Sequence, residues 1–305
     1  MNKSLLSRLS FTRLSVTLKP EAEFFFPFFP GSLIRGSFGH ALKEAFCVVH
    51  GKDCPSCHLS SSCGYYRLFE SQDPTLSGTG FRFKPHPYNL SLPTKRSFEE
   101  TGTLKFTLTL LGNFSAYIPY LIYAFELMGK KGLGKGKVPF SIDSVKDGIN
   151  GNSLYKDGKL HSSRLEQISI QEYVCREEFR ENTDYELQLQ SPARIEEKGK
   201  FFKELKAADI QKSIQHRYRL MHSFYGELVD EDLQIEDLRL SCQSQEFVDW
   251  TRYSNRKQNR HKQGGIVGSF LLEKPDKKTY ELIKAMEILH IGKQTSFGLG
   301  EVKVR

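Results

Sequence analysis

"HIGKQTSFGLGEVKV", residues 290–304, decides how the chain is read. Gly292, Gly298 and Gly300 stand beside Lys293, Thr295 and Ser296, and the segment then alternates as a strand through Val302 and Val304. Glycines permit left-handed backbone and can expose N–H groups as an anion-binding concavity, to which a lysine adds charge. A tight helix-to-strand turn is the structural alternative. The periodicity of Leu282, Ile283, Met286 and Leu289 places a helix just before the loop.

Working outward from that end, one order of elements occurs twice. Residues 5–18 predict a strand, with a bulge where apolar parity switches between Phe11 and Leu14. After Pro30-Gly31, "SLIRGSFGHALKEAF" (32–46) predicts a helix with Ser32 as N-cap and Ile34, Phe38, Ala41, Leu42 and Ala45 as its buried stripe. Leu104, Phe106, Leu108 and Leu110 alternate as a strand, a helix beginning near Pro119 follows, and a Gly/Lys loop at 129–137 leads into another strand. In the second half, Tyr185 to Leu189 reads as a strand, 201–225 as a helix, and Ile266 to Leu272 as a strand; the 282–289 helix and the terminal loop and strand then follow. The repeat predicts an α+β protein of two domains, each an antiparallel sheet with helices on one face.

Composition bounds the function. The net charge of +8 favours a polyanionic partner. "EFFFPFFP" (23–30) is apolar, but it is short and broken by Pro27 and Pro30, so no span reaches the roughly 20 residues a bilayer requires. The N-terminus lacks the pattern of a signal peptide, so the expected location is the cytoplasm, with no membrane partner. From Trp250 to Leu272 there is no acidic residue, while Arg252, Arg256, Lys257, Arg260 and Lys262 interleave with Trp250 and Tyr253. Cations neutralise phosphates and aromatic faces stack on unpaired bases, which points to RNA; a solvated basic loop with Trp250 in the core is the bland reading.

Cys47, Cys54, Cys57 and Cys63 follow the spacing C-x6-C-x2-C-x5-C. In a reducing compartment this predicts a structural zinc held by four thiolates, with an iron–sulfur cluster and a disulfide as alternatives. On the first helix, His40 lies opposite the apolar stripe, beside Gly36, Gly39 and Lys43. An imidazole there can take a proton from a hydroxyl, and Lys43 can stabilise charge growing on a phosphate. A solvent-facing structural histidine is the commoner role. His86, in "KPHPYNL", is the second candidate.

Three stretches, "GSLIRGSFGHALKEAF", "DWTRYSNRKQNRHKQGGIVG" and the terminal "HIGKQTSFGLGEVKV", make the chain resemble the CRISPR-associated RAMP superfamily, and most of all its precursor-CRISPR-RNA endoribonucleases. The terminal loop is similar to the family's G-x-G-x5-G-x-G, with His290 standing at the first glycine. With the repeated topology, the resemblance spans nearly the whole chain. It implies two tandem ferredoxin-like (RRM-like) domains, placed at 1–180 with a Cys-rich insertion (47–63) and at 181–305. It also implies metal-independent cleavage of repeat RNA by a ribose 2′-OH, giving 5′-OH and 2′,3′-cyclic phosphate ends, with no catalytic cofactor. His40, Lys43 and Tyr253 become the catalytic candidates, and the family draws its base from the first helical region. Arg35, Trp250, the basic stretch and the loop residues Gly292, Lys293, Thr295, Ser296, Gly298 and Gly300 become the RNA contacts. Expected partners are CRISPR repeat RNA and subunits of a CRISPR effector complex. Two other functions remain: a non-catalytic RAMP subunit binding guide RNA, and a zinc-binding nucleic-acid regulator.

Overall fold

The computed structural model describes residues 5–51, 53–70, 83–161, 165–197, 199–226, 235, 238–254 and 259–305. The chain divides into two compact units, one of residues 11–167 and one of residues 1–10 with 168–305.

The first unit holds β1 (Ser10–Pro20), α1 (Gly31–Phe46), α2 (Gly64–Phe69), β2 (Tyr88–Ser91), α3 (Lys95–Thr101), β3 (Leu104–Leu111), α4 (Ile118–Lys131), β4 (Phe140–Asp147), β5 (Ser153–Lys156) and β6 (Lys159–Leu160). Its strands run in the order β2-β3-β1-β4-β5-β6. The first four have the ferredoxin-like order, in which the first strand lies between the third and fourth. β1 pairs antiparallel with β3 from Phe11–Leu111 to Leu18–Leu104 and with β4 on its other side. The bulge expected between Phe11 and Leu14 is absent from the β3 side. Instead, both Phe11 and Thr12 are buried, so the parity switch records cover on two faces, and the register shifts on the β4 side at Thr17/Leu18. Phe38 of α1 stacks on Phe125 of α4, centroids 5.1 Å apart, and Phe125 meets Phe106 of β3 edge-on at 5.5 Å. Such pairs add about 0.5–1.5 kcal/mol beyond their buried area. Helix α1 begins one residue earlier than expected, with Pro30 at the N-cap position and no side-chain cap.

The second unit holds β7 (Ile168–Ser169), α5 (Ile170–Val174), β8 (Tyr185–Ala193), β9 (Glu196–Glu197), β10 (Lys200–Phe201), α6 (Ala207–Tyr225), β11 (Leu240–Ser254), β12 (Asn259–Leu272), α7 (Lys277–Leu289) and β13 (Val302–Val304). Its four-stranded sheet has the order β11-β12-β8-β13, the same ferredoxin-like permutation. The chain is therefore an α+β protein with two antiparallel, ferredoxin-like folds in tandem. The division falls before α5 rather than at 180/181. Ile170 N–H donates to the Leu9 carbonyl at 2.9 Å, and α5 is tied to α7 by the Tyr173 hydroxyl, which donates to Glu287 at 2.6 Å.

Two features of this unit were not legible as structure. The helix expected over 201–225 begins at Ala207, where Asp209 reaches back to the Lys206 N–H at 3.0 Å. The basic stretch is a ribbon: β11 and β12 pair from Leu240–Leu272 out to Ser254–Asn259, whereas β8 pairs with β12 only between Ile266 and Leu272. The ribbon's outer part has no third strand among the described residues.

Candidate functional site

Two places concentrate the sequence candidates, one in each unit. In the first, α1 presents Arg35, Gly39 and Lys43 at four-residue spacing, with His40 next to them. The Arg35 guanidinium lies over the Phe69 ring of α2, 3.9 Å from its centroid. Gly39 is small because of the same ring: a Cβ there would sit 2.1 Å from Phe69 Cζ. The glycine therefore admits an aromatic side chain rather than an approaching backbone. Lys43 lies 5.8 Å from the Tyr65 ring centroid, and its charge acts to lower the pKa of the Cys54 thiol against the burial that raises it. The Tyr65 hydroxyl donates to Glu70 at 3.2 Å, and burial, then Glu70, push its pKa far up, so it stays a phenol. His86 is wedged among these rings, 6.0 Å from Phe69 and 5.6 Å from Tyr88.

Of the two histidine candidates, His40 is the accessible one. It is exposed and makes no hydrogen bond or ion pair among the described residues. His86 is half-buried in an aromatic stack. A general base must come within hydrogen-bond reach of the proton it takes. His40 meets that condition for an incoming ribose more readily than His86 does. Tyr253 lies near the end of β11, paired in backbone register with Arg260.

In the second unit, the Gly-rich loop joins α7 to β13. Gly292, Gly298 and Gly300 have φ of 71°, 81° and 69°. His290, where the family pattern has its first glycine, also takes a left-handed φ of 58°. Its ring is buried, with Nδ1 3.2 Å from the Leu299 carbonyl oxygen. The site therefore keeps the glycine-like backbone while a buried imidazole offsets its strain with a local contact. Most glycine amides here are spent on the fold. Gly292 N–H donates to Ser213 Oγ at 3.0 Å, Gly298 N–H to the Thr295 carbonyl at 2.9 Å, and Gly300 N–H to the Pro192 carbonyl at 3.1 Å. A concavity of free glycine amides is not what these contacts describe. Lys293 is exposed and paired with Glu196, while Thr295 and Ser296 are buried.

What fixes the loop is Arg217, which sequence reasoning missed. Its side chain is buried, donating from Nε to the Leu289 carbonyl at 3.0 Å and from an η-nitrogen to Thr295 Oγ1 at 2.8 Å. Burial lowers its pKa to about 10, so it remains a cation at neutral pH. The signal was present: Arg217 occupies a stripe position of α6 with Ile210, Ile214 and Met221. Beside it, burial and then the cations Arg217, Lys293 and Arg219 push His216 below the ordinary imidazole range.

The ribbon carries the remaining candidates. Trp250 is half-buried and pairs in register with Gln263, and Lys262 is exposed and pairs with Thr251. Arg252 pairs with His261 in backbone register. Arg256 and Lys257 lie outside the described residues.

The cysteines correct an expectation. Cys47, Cys54, Cys57 and Cys63 are free thiols, and among the described residues no group of three or more metal-ligating side chains is gathered. Their carriers explain the dispersal. Cys47 ends α1, Cys54 and Cys57 sit in a turn closed by Cys57 N–H donating to the Cys54 carbonyl at 3.2 Å, and Cys63 occupies the N-cap position of α2. Burial pushes the Cys54 thiol up, with Lys43 opposing it. The structure supports no zinc or iron–sulfur assignment here.

Two ferredoxin-like folds in tandem, the second closed by a Gly-rich helix-to-strand loop, define a RAMP-type protein. The chain belongs to the AF_1859_N family through its first half, and its second half carries a domain that matches the Cas6 endoribonuclease model. Residues 9–168 match the AF_1859_N N-terminal domain family, and residues 187–302 match the CRISPR-associated endoribonuclease Cas6. An uncharacterized protein of Archaeoglobus fulgidus is 24% identical, covering 97% of this chain and 98% of its own. In fold, the chain is similar to a Cas6 product complex (TM-score 0.57, 16% identity, 98% of this chain and 100% of that one). It is also similar to Thermus thermophilus Cas6 (TM-score 0.54, 14% identity, 97% and 99%). The Cas6 part of a Cas6-RT-Cas1–Cas2 complex shares the fold as well (TM-score 0.56, 14% identity, 98% of this chain and 46% of that one).

Proposed function

We propose that this protein cleaves CRISPR repeat RNA in its precursor without a metal, by attack of a ribose 2′-OH on the adjacent phosphate. The observation that carries the reading is His40, an exposed imidazole on α1 of a Cas6-type fold. A histidine-to-alanine mutant of a Cas6 is among the solved structures that share the fold. In this account His40 takes the 2′-OH proton. The phosphorus–oxygen bond to the next nucleotide breaks as the cyclic phosphate forms, and the departing 5′-oxygen receives a proton. Lys43 supplies positive charge to the phosphate. Tyr253 on the ribbon is the proposed third member, and Arg35, Trp250, Arg252, Arg256, Lys257, Arg260, Lys262 and the Gly-rich loop are the proposed RNA contacts. Partners are repeat RNA and other CRISPR proteins.

The test is incubation with repeat RNA in EDTA. His40→Ala should cut about 10²–10⁴-fold more slowly while binding RNA as before. A single 2′-deoxy substitution at the cleaved position should abolish cutting. Cleavage of the deoxy substrate would refute the chemistry, and a wild-type rate for His40→Ala would move the base elsewhere, with His86 next. A second reading, a guide-RNA-binding subunit without activity, is favoured by one observation: no side chain among the described residues orients the His40 ring. It predicts tight binding with no product.

A further inference from the structure

The Gly/Lys loop of the first unit has no role in that chemistry, yet it occupies the same topological place as the Gly-rich loop of the second: each joins the second helix of its fold to the fourth strand. Leu133 and Val138 form an isolated antiparallel bridge, with N···O distances of 2.8 and 3.0 Å, and close a tight turn between them. Leu133 is fully buried and anchors the turn. Lys137 takes a left-handed φ of 46°, which an L-residue adopts at a cost.

The chain after β1 lies against this turn. Glu21 N–H donates to the Pro139 carbonyl at 2.9 Å, and Phe24 Cε2 is 3.5 Å from the place a Cβ of Gly134 would take. Phe24 packs on Phe140 (4.9 Å) and Phe98 (5.6 Å), and Phe26 stacks on Phe98 (5.2 Å). Pinning Phe24 and Phe26 inward turns the residue between them outward: Phe25 is 90% exposed, and Phe28 is 70% exposed. These two rings contribute little to the core. Lys135 and Lys137 on the turn, Lys130 at the end of α4 and Lys19 at the end of β1 are exposed and have no ion pair among the described residues, against the exposed carboxylates of Glu21 and Glu23.

Exposed flat rings on a segment that lies against a turn with unpaired lysines match a polyanion that carries flat apolar groups. We propose that the α4–β4 turn with Phe25 and Phe28 is a binding site for unpaired RNA, the rings stacking on bases and Lys135 and Lys137 meeting phosphates. The proposal rests on RNA being the substrate and adds a grip separate from His40. An exposed ring on a pinned backbone costs little ordering entropy when a base stacks on it, and such stacking tolerates any sequence.

The probe is a fluorescein-labelled oligouridylate of about twelve nucleotides, titrated against the full chain. A 4-thiouridine version should crosslink to the peptide containing Phe25. Phe25→Ala and Phe28→Ala should each weaken binding about 5–100-fold, and the Lys135→Ala, Lys137→Ala pair should flatten the salt slope by about 1.4. Because the rings are exposed, the variants should melt as wild type does. Unchanged affinity in both Phe variants, or crosslinks confined to other peptides, would overturn the site and leave the face to a protein partner. Absence of cleavage in the wild type would defeat the nuclease reading while leaving the oligouridylate result to decide this one.

Discussion

Replacing Gly300 by alanine tests whether the Gly-rich loop is held by close backbone approach. Gly300 has φ of 69°, and a Cβ there would lie 1.8 Å from the Ile291 carbonyl oxygen. The left-handed conformation costs an L-residue about 1–2 kcal/mol. Relieving the clash moves the Ile291 backbone, which donates to the Gly300 carbonyl at 2.8 Å, and breaking that bond adds about 0.5–1.5 kcal/mol. Local overpacking adds about 1–3 kcal/mol. The expected destabilisation is therefore about 2.5–6.5 kcal/mol. Gly199→Ala is the matched control in the same unit, since its φ is 80° but nothing lies within 4 Å of its Cβ position. It should cost only the conformational part, about 1–2 kcal/mol. Trp250 is the sole tryptophan and lies in the second unit, so its fluorescence during urea unfolding reports on that unit. With an m-value of about 1–3 kcal/mol/M, Gly300→Ala should lower the midpoint by about 0.5 M or more beyond the control. Equal shifts for the two variants would refute the close approach and leave the loop as a permissive turn.

The remaining predictions concern charge and metal. Arg252→Ala with Arg256→Ala should weaken RNA binding and flatten its salt dependence by about 0.7 for each phosphate no longer neutralised; an unchanged slope would remove the ribbon from the interface. Burial pushes the Glu287 carboxyl up, but hydrogen bonds from Tyr173 and Val304 and the charges of Lys284 and Lys303 outweigh it and hold the carboxyl below its ordinary range. A depressed folded value stabilises above the unfolded value of about 4.3, and that stability disappears as pH falls through the folded value. The stability gap between wild type and Glu287→Gln should accordingly close on acidification below pH about 4, and a gap independent of pH would contradict the network. Because the four clustered cysteines are not gathered into a ligand set, EDTA should leave the melting temperature unchanged, and a fall on chelation would restore a structural metal.

Much of the site was legible because glycine and charge are local signals. The positive-φ glycines of 292–300 and the acid-free run after Trp250 can be read without knowing what surrounds them. The roles of particular side chains could not. Gly39 looked like room for an approaching backbone and is room for Phe69, which comes from another helix. Arg217 carried no motif that singled it out and is the buried clamp on Thr295. Four cysteines at metal-like spacing are spread over a helix end, a turn and an N-cap position.

By itself the sequence determined the strand–helix order, its repetition, and the α+β class, because apolar periodicity is written residue by residue along each element. Only the tertiary structure decided that both sheets take the ferredoxin-like strand order, that residues 1–10 join the second unit, and that β11 and β12 run on past β8 as a ribbon. Strand neighbours and buried cations depend on partners far away in the chain, and no local spacing records which distant surface will remove a residue from water.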